Sequence, residues 1–126
     1  MCNKNLPTMS ELKYGAVRLW CIGEGYEGVK AEDSFLNAAF SKNGEITGFI
    51  FEFDKTVDEM LSCIEKAKEK VQYIYIVIDN GSKIRNLKKI LPEFCGIFCN
   101  SNAFGLGMVT QIMKQATFIF KEGGRK

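Results

Sequence analysis

Histidine is absent from the 126 residues. That removes the commonest general base, the commonest zinc ligand, and any Ser-His or Cys-His nucleophile. Proline is scarce, with only 2 in the chain, Pro7 and Pro92. No apolar run is long enough to span a bilayer, and Met1 to Ser10 is short and polar, so neither a signal peptide nor a membrane anchor is expected. Internal repeats, low-complexity tracts and linkers are also missing. An excess of one charge is lacking too: 17 basic against 15 acidic residues leave +2, too little to mark a nucleic-acid binder by itself. The 5 cysteines (Cys2, Cys21, Cys63, Cys95, Cys99) are odd in number, and only Cys95 and Cys99 lie close together. Without a second close pair a zinc site is not indicated; free buried thiols in a reducing cytoplasm are expected.

What is present is ordinary for a globular protein: 46% apolar and 25% charged residues. The length suits one domain, 1–126, with flexible ends at 1–8 and 122–126. The most informative stretch is Leu36 to Asp54, two strand-forming runs around Lys42-Asn43-Gly44. Asn-Gly between such runs is a strong hairpin signal. In the second run Phe49, Phe51 and Phe53 alternate with Ile50, Glu52 and Asp54, which places carboxylates on one strand face beside a core.

Around this hairpin the chain reads in order. Thr8-Met9-Ser10-Glu11 has capping-box spacing, and Leu12, Ala16, Leu19 and Trp20 predict a helix to about Ile22. Tyr26 to Lys30 reads as a short edge strand and Ala31 to Ser34 as a turn. Thr56-Val57-Asp58-Glu59 repeats the capping pattern ahead of an apolar stripe of Val57, Met60, Leu61, Ile64, Ala67 and Val71, an amphipathic helix. Tyr73 to Ile78 is almost wholly apolar, as strands buried on both faces are. Ser82 is placed to cap a short helix with Ile84, Leu87, Ile90 and Leu91 inward, ended by Pro92. Cys95 to Cys99 predicts a further strand, Asn100 to Gly107 a loop with Gly105-Leu106-Gly107 as a turn, and Met108 to Met113 and Thr117 to Lys121 a closing pair. The fold class expected is α/β (α+β), a mixed central sheet flanked by helices on both faces.

That order, α, β, β, β, α, β, α, β, β, β, resembles the restriction-endonuclease-like fold of the PD-(D/E)xK nuclease superfamily. The residues carrying the likeness are the Gly25-Tyr26-Glu27 turn after a helix, the strand–turn–strand ending in Glu52, and the buried strand ending in Asp79. Leu91-Pro92-Glu93, leading into Gly96-Ile97, completes it. The resemblance covers the first helix through Cys99. It implies Mg²⁺ held by carboxylates on adjacent strands, activating water for phosphodiester hydrolysis, with a lysine two residues after the glutamate. Carried onto this chain, the implied metal positions are Asn37, Glu52 and Asp54, and the implied catalytic ones Glu52 and Asp54. Asn37 stands where the family has aspartate and Asp54 where it has lysine. Lys55 is expected on the opposite strand face. Lys66, from the following helix, is a candidate replacement for the missing cation.

A plainer reading competes and is preferred. Glu52 and Asp54 then lie on a partly solvated sheet face, and Asn37 hydrogen-bonds a neighbouring turn. A non-catalytic cation pocket of the same three residues lies between the two. Arg85, Lys88 and Lys89 share a helix face at i, i+3 and i+4, either a solvated face or a phosphate-contacting patch. Tyr14, Trp20, Tyr26, Tyr73 and Tyr75 read as core or near-core aromatics, since none interleaves with a basic run.

The expected function is therefore that of a catalytically degenerate nuclease-fold protein. It would bind nucleic acid or a protein partner, as an accessory subunit, immunity protein or inhibitor in phage–host conflict. An active Mg²⁺-dependent endonuclease with a rearranged site is the alternative. An interaction module of another fold is the third reading. No membrane partner is expected, and a homodimer is allowed.

Overall fold

Thr8 starts the first helix with both halves of a capping box. Its hydroxyl accepts from Glu11 N at 3.1 Å, and the Glu11 carboxylate accepts from Thr8 N at 2.9 Å. The computed structural model describes residues 8–29, 36–100 and 110–119. Helix α1 spans Met9–Gly23. Its buried positions are Lys13, Ala16, Val17 and Cys21, at spacings of 3, 1 and 4, which set the phase of the inward face. Leu19, expected on that face, is exposed, and so is Tyr14.

Six strands follow in sheet order β1 to β6: Glu27–Gly28, Ala38–Lys42, Glu45–Phe51, Tyr73–Ile78, Cys95–Asn100 and Thr110–Lys114. The expected edge strand over Tyr26 to Lys30 is thus two residues long. β1, β2 and β3 form an antiparallel meander. The β2–β3 turn puts Asn43 at φ 56° and Gly44 at φ 82°, the left-handed pair that a two-residue hairpin requires. β3, β4 and β5 are mutually parallel, and β6 returns antiparallel to β5.

Parallel neighbours need crossovers. Helix α2, Val57–Ala67, makes the first and α3, Ile84–Ile90, the second. Thr56 and Glu59 cap α2 reciprocally, each at 3.1 Å or less. Met60 and Ile64 of α2 and Leu87 of α3 pack with Ile50, Ile74, Ile76, Ile78 and Ile97 on one sheet face. Val17 and Cys21 of α1 pack with Phe40, Phe49, Phe51, Tyr75, Val77 and Phe98 on the other. Alternation along β3 and β4 feeds the two cores, so the sheet is mixed and covered by helices on both faces, as the sequence predicts.

Four local expectations change. Strand β3 ends at Phe51, and Glu52–Asp54 form a 3-10 turn instead of continuing the alternation. At this strand end Asn37 Oδ1 accepts the Phe51 N–H at 2.7 Å, in place of a backbone partner on β2. A second 3-10 turn, Gly81–Lys83, precedes α3; Asn80, not Ser82, caps it by accepting from Ser82 N at 2.9 Å. Ile90 is exposed while Leu91 is buried, because the helix stops there ahead of Pro92. Of the closing pair, the described residues hold one strand, β6, which ends at Lys114. From 115 to 119 the backbone bonds to two separate segments, Thr117 N to Phe94 O and Ile119 N to Gln72 O, and builds no ladder. Residues 30–35, the turn at Gly105-Leu106-Gly107, Met108, Lys121 and both expected flexible ends apart from Thr8 lie outside the described residues.

Candidate functional site

The carboxyl ends of the parallel strands gather the molecule's polar interior. Phe51 of β3 is in register with Val77 of β4, so the residues that follow each strand emerge side by side. Those residues are Glu52 and Asp79. Open α/β sheets place ligands outside these strand ends.

One ammonium serves both carboxylates. Lys83 Nζ donates to Glu52 Oε1 at 3.0 Å and lies 2.8 Å from Asp79 Oδ1. The Asp79 oxygen is out of solvent, so this short contact with Lys83 is made without competition from water. Burial alone would lower the Lys83 pKa. Hydrogen bonding and charge from Asp79 and Glu52 outweigh burial and hold it above its ordinary value.

A second cation, on the helix of the opposite sheet face, feels the Asp79 charge. Lys13 of α1 is only 2% exposed. Burial pulls its pKa down, and the nearby Cys99 and Asp79 charges oppose that fall. Cys99 is buried beside it, and burial pushes its thiol pKa up, against the pull of Lys13. Lys83 precedes α3 on one face and Lys13 belongs to α1 on the other, so a cation from each layer acts on Asp79.

Asn37 sits just before β2 and Glu52 just after β3, at the same edge of adjacent strands. The Asn37 side-chain oxygen is already committed. It accepts from Phe51 N and, at 3.2 Å, from Lys55 Nζ. Lys55, expected to face away, thus reaches into this edge, because the 3-10 turn breaks the alternation on which that expectation rests. Lys66 is exposed in the last turn of α2, about 14 Å along the helix from Val57 at 1.5 Å per residue. Asp54 lies in the 3-10 turn and its side chain is outside the described atoms.

The resulting donor set fits a divalent cation poorly. Glu52 and Asp79 share the Lys83 ammonium, and Asn37 offers an oxygen already shared by two donors. Among the described residues no group of three or more His, Cys, Asp or Glu could hold a metal ion.

The basic helix adjoins this edge. Arg85, Lys88 and Lys89 of α3 are exposed and, with Gly81, Ser82 and Ile84, line an open cavity of about 840 Å³. Lys83 is diverted to the carboxylates, which explains why it does not share their face. The sequence reading missed the Glu52–Lys83–Asp79 bridge and the burial of Lys13. The available signal was Asp79 itself, a carboxylate placed directly after a strand buried on both faces. No known protein family, curated protein or solved structure matches the chain.

Proposed function

We propose that the protein binds nucleic acid through the phosphate backbone and does not hydrolyse it, as a catalytically degenerate member of the PD-(D/E)xK, restriction-endonuclease-like class. The observation that carries the reading is the Lys83 ammonium that occupies Glu52, one of the metal positions the resemblance implies, together with Asp79. A cation supplied by the chain occupies both carboxylates but cannot activate a water as a metal does. The element order that prompted the resemblance, from α1 through β5, supports the same reading. Arg85, Lys88 and Lys89 give the surface for phosphates, since exposed cations on one short helix can follow successive charges of a strand. An accessory, immunity or inhibitor role in phage–host conflict suits a binder of this kind. Free thiols at Cys21, Cys63, Cys95 and Cys99 suit a cytoplasmic setting.

Gel-shift titration of a DNA duplex tests the proposal. With three phosphate contacts the log–log salt slope should be about −2.7, a loss of roughly 40-fold between 50 and 200 mM salt. The triple reversal Arg85→Glu, Lys88→Glu, Lys89→Glu should abolish the shift. Absence of any shift at low salt would move the reading to a protein partner. Cutting of plasmid or branched DNA with Mg²⁺ or Mn²⁺, abolished by Glu52→Ala, would establish the alternative, an active endonuclease with a rearranged site.

A further inference from the structure

At the hairpin end of the sheet, about 20 Å along β3 from Glu52 at 3.3 Å per residue, lies a pocket of about 210 Å³. It is lined by Tyr26, Lys42, Asn43, Glu45, Thr47 and Tyr73. Strand register puts five of these on one face. Lys42 pairs with Glu45, Thr47 follows two residues on, Thr47 pairs with Tyr73, and Tyr26 precedes the Glu27–Ser41 pair. This is the face that α1 covers. The helix stops at Gly23, and the row beyond it is left open.

The two charges in this row behave unusually. Lys42 and Glu45 are direct cross-strand partners, a position in which opposite charges commonly meet. Each is directed elsewhere. Lys42 Nζ lies 5.4 Å from the centre of the Tyr26 ring, a cation–π distance. Glu45 lies near Tyr73, whose hydroxyl pKa is pushed up by burial and then by the Glu45 carboxylate. A cation therefore stands on one wall and an anion on the other, with Thr47, 1% exposed, between them at the pocket's base.

The walls are braced from behind. Tyr26 packs on Trp20 with ring centres 5.9 Å apart, and Tyr73 meets Phe118 edge-on at 5.9 Å. The Lys42 stem runs close to Gly25, whose φ of 93° favours glycine and where a Cβ would touch Lys42 Cε at 3.8 Å. Side chains held this way are prepared for a ligand before it arrives.

We infer that this pocket binds a small zwitterion of the amino-acid class, its carboxylate toward Lys42 and its ammonium toward Glu45, with Tyr26 and Tyr73 as flanking walls. The volume is below that of drug-sized sites and suits a molecule of few heavy atoms. The site is separate in space and residues from the nucleic-acid surface, so either proposal can fail alone.

The test is titration of the ¹⁵N-labelled protein, followed by amide resonances, with glycine, L-alanine and L-serine as probes. Ethanolamine and acetate serve as single-charge controls. Expected are saturable shifts confined to residues around 26, 42–47 and 73 for at least one zwitterion, with at least tenfold weaker response to either control. Glu45→Gln and Lys42→Met, both outside the core, should each weaken binding at least tenfold with an unchanged circular dichroism spectrum. No saturable shift from any zwitterion up to 50 mM, or equal response to acetate or ethanolamine, would overturn the proposal. The wild-type titration decides it even if a variant fails to fold.

Discussion

Asp79 stands between Lys83 at 2.8 Å and the buried Lys13, and each partner makes a different demand on it. Replacing Asp79 by Asn takes away the carboxylate that faces Lys13 inside the fold. The expected loss is roughly 2–4 kcal/mol by urea denaturation, the lower part of the range for a broken buried pair because Asp79 keeps some solvent contact. Lys13→Met added to Asp79→Asn should recover at least half, a coupling that a double-mutant cycle measures. The two lysines also act oppositely on pH dependence. Lys13 has a folded pKa below 10.5, so stability rises as pH climbs from that value towards 10.5, and Lys13→Met removes the rise. Lys83 has a folded pKa above 10.5, so its stabilisation is complete below 10.5 and is lost as pH passes the raised value. Lys83→Met should remove that loss in denaturation curves taken across the alkaline range. Glu52 is legible in the sequence because it follows alternating phenylalanines. Its partner is not, since nothing local connects residues 31 positions apart.

At the scale of elements, α2, β4 and the hairpin follow from periodicity and turn chemistry with little left over. What sequence reading loses is the end of β3. A side chain 14 residues upstream captures a strand N–H, and propensity holds no trace of that bond. The closing strands are lost for a similar reason, because residues 115–119 bond to two segments at once. Gly48 shows how tightly β3 is fitted between its neighbours. An added Cβ would lie 2.8 Å from Leu36 Cδ2 and 3.5 Å from Val71 Cγ1. Gly48→Ala should therefore destabilise by about 1–2 kcal/mol, limited by the freedom of the leucine tip to move. Adding Leu36→Ala should recover part of this in thermal melts, which a purely conformational penalty at Gly48 would not allow.

Across the whole molecule, one apolar sheet separates two polar ends. The mixed sheet and its flanking helices are legible from the chain, whereas the division of labour between its ends depends on register, which composition does not reveal. No helix among the described residues is long and apolar enough to cross a membrane. Cys21, Cys95 and Cys99 are buried in the two cores, and Cys63 is half-buried on α2. Burial, then the Glu24 charge, pushes the Cys21 thiol up to about 12. In timed iodoacetamide labelling read by mass spectrometry, Cys63 should react in the native protein. The three buried thiols should react only at the rate of unfolding, and early labelling of Cys21 would show that α1 opens on its own.

Trp20 is the chain's only indole, and three rings surround it: Tyr26, Tyr75 and Phe98, with centres 5.7 to 6.2 Å away. One emission band therefore reports from the point where the first helix meets the sheet. Light absorbed by Tyr26 or Tyr75 passes to this single acceptor, and a molecule resting against Tyr26 changes its surroundings without any dye or label. The protein carries its own optical probe at the rim of the smaller pocket.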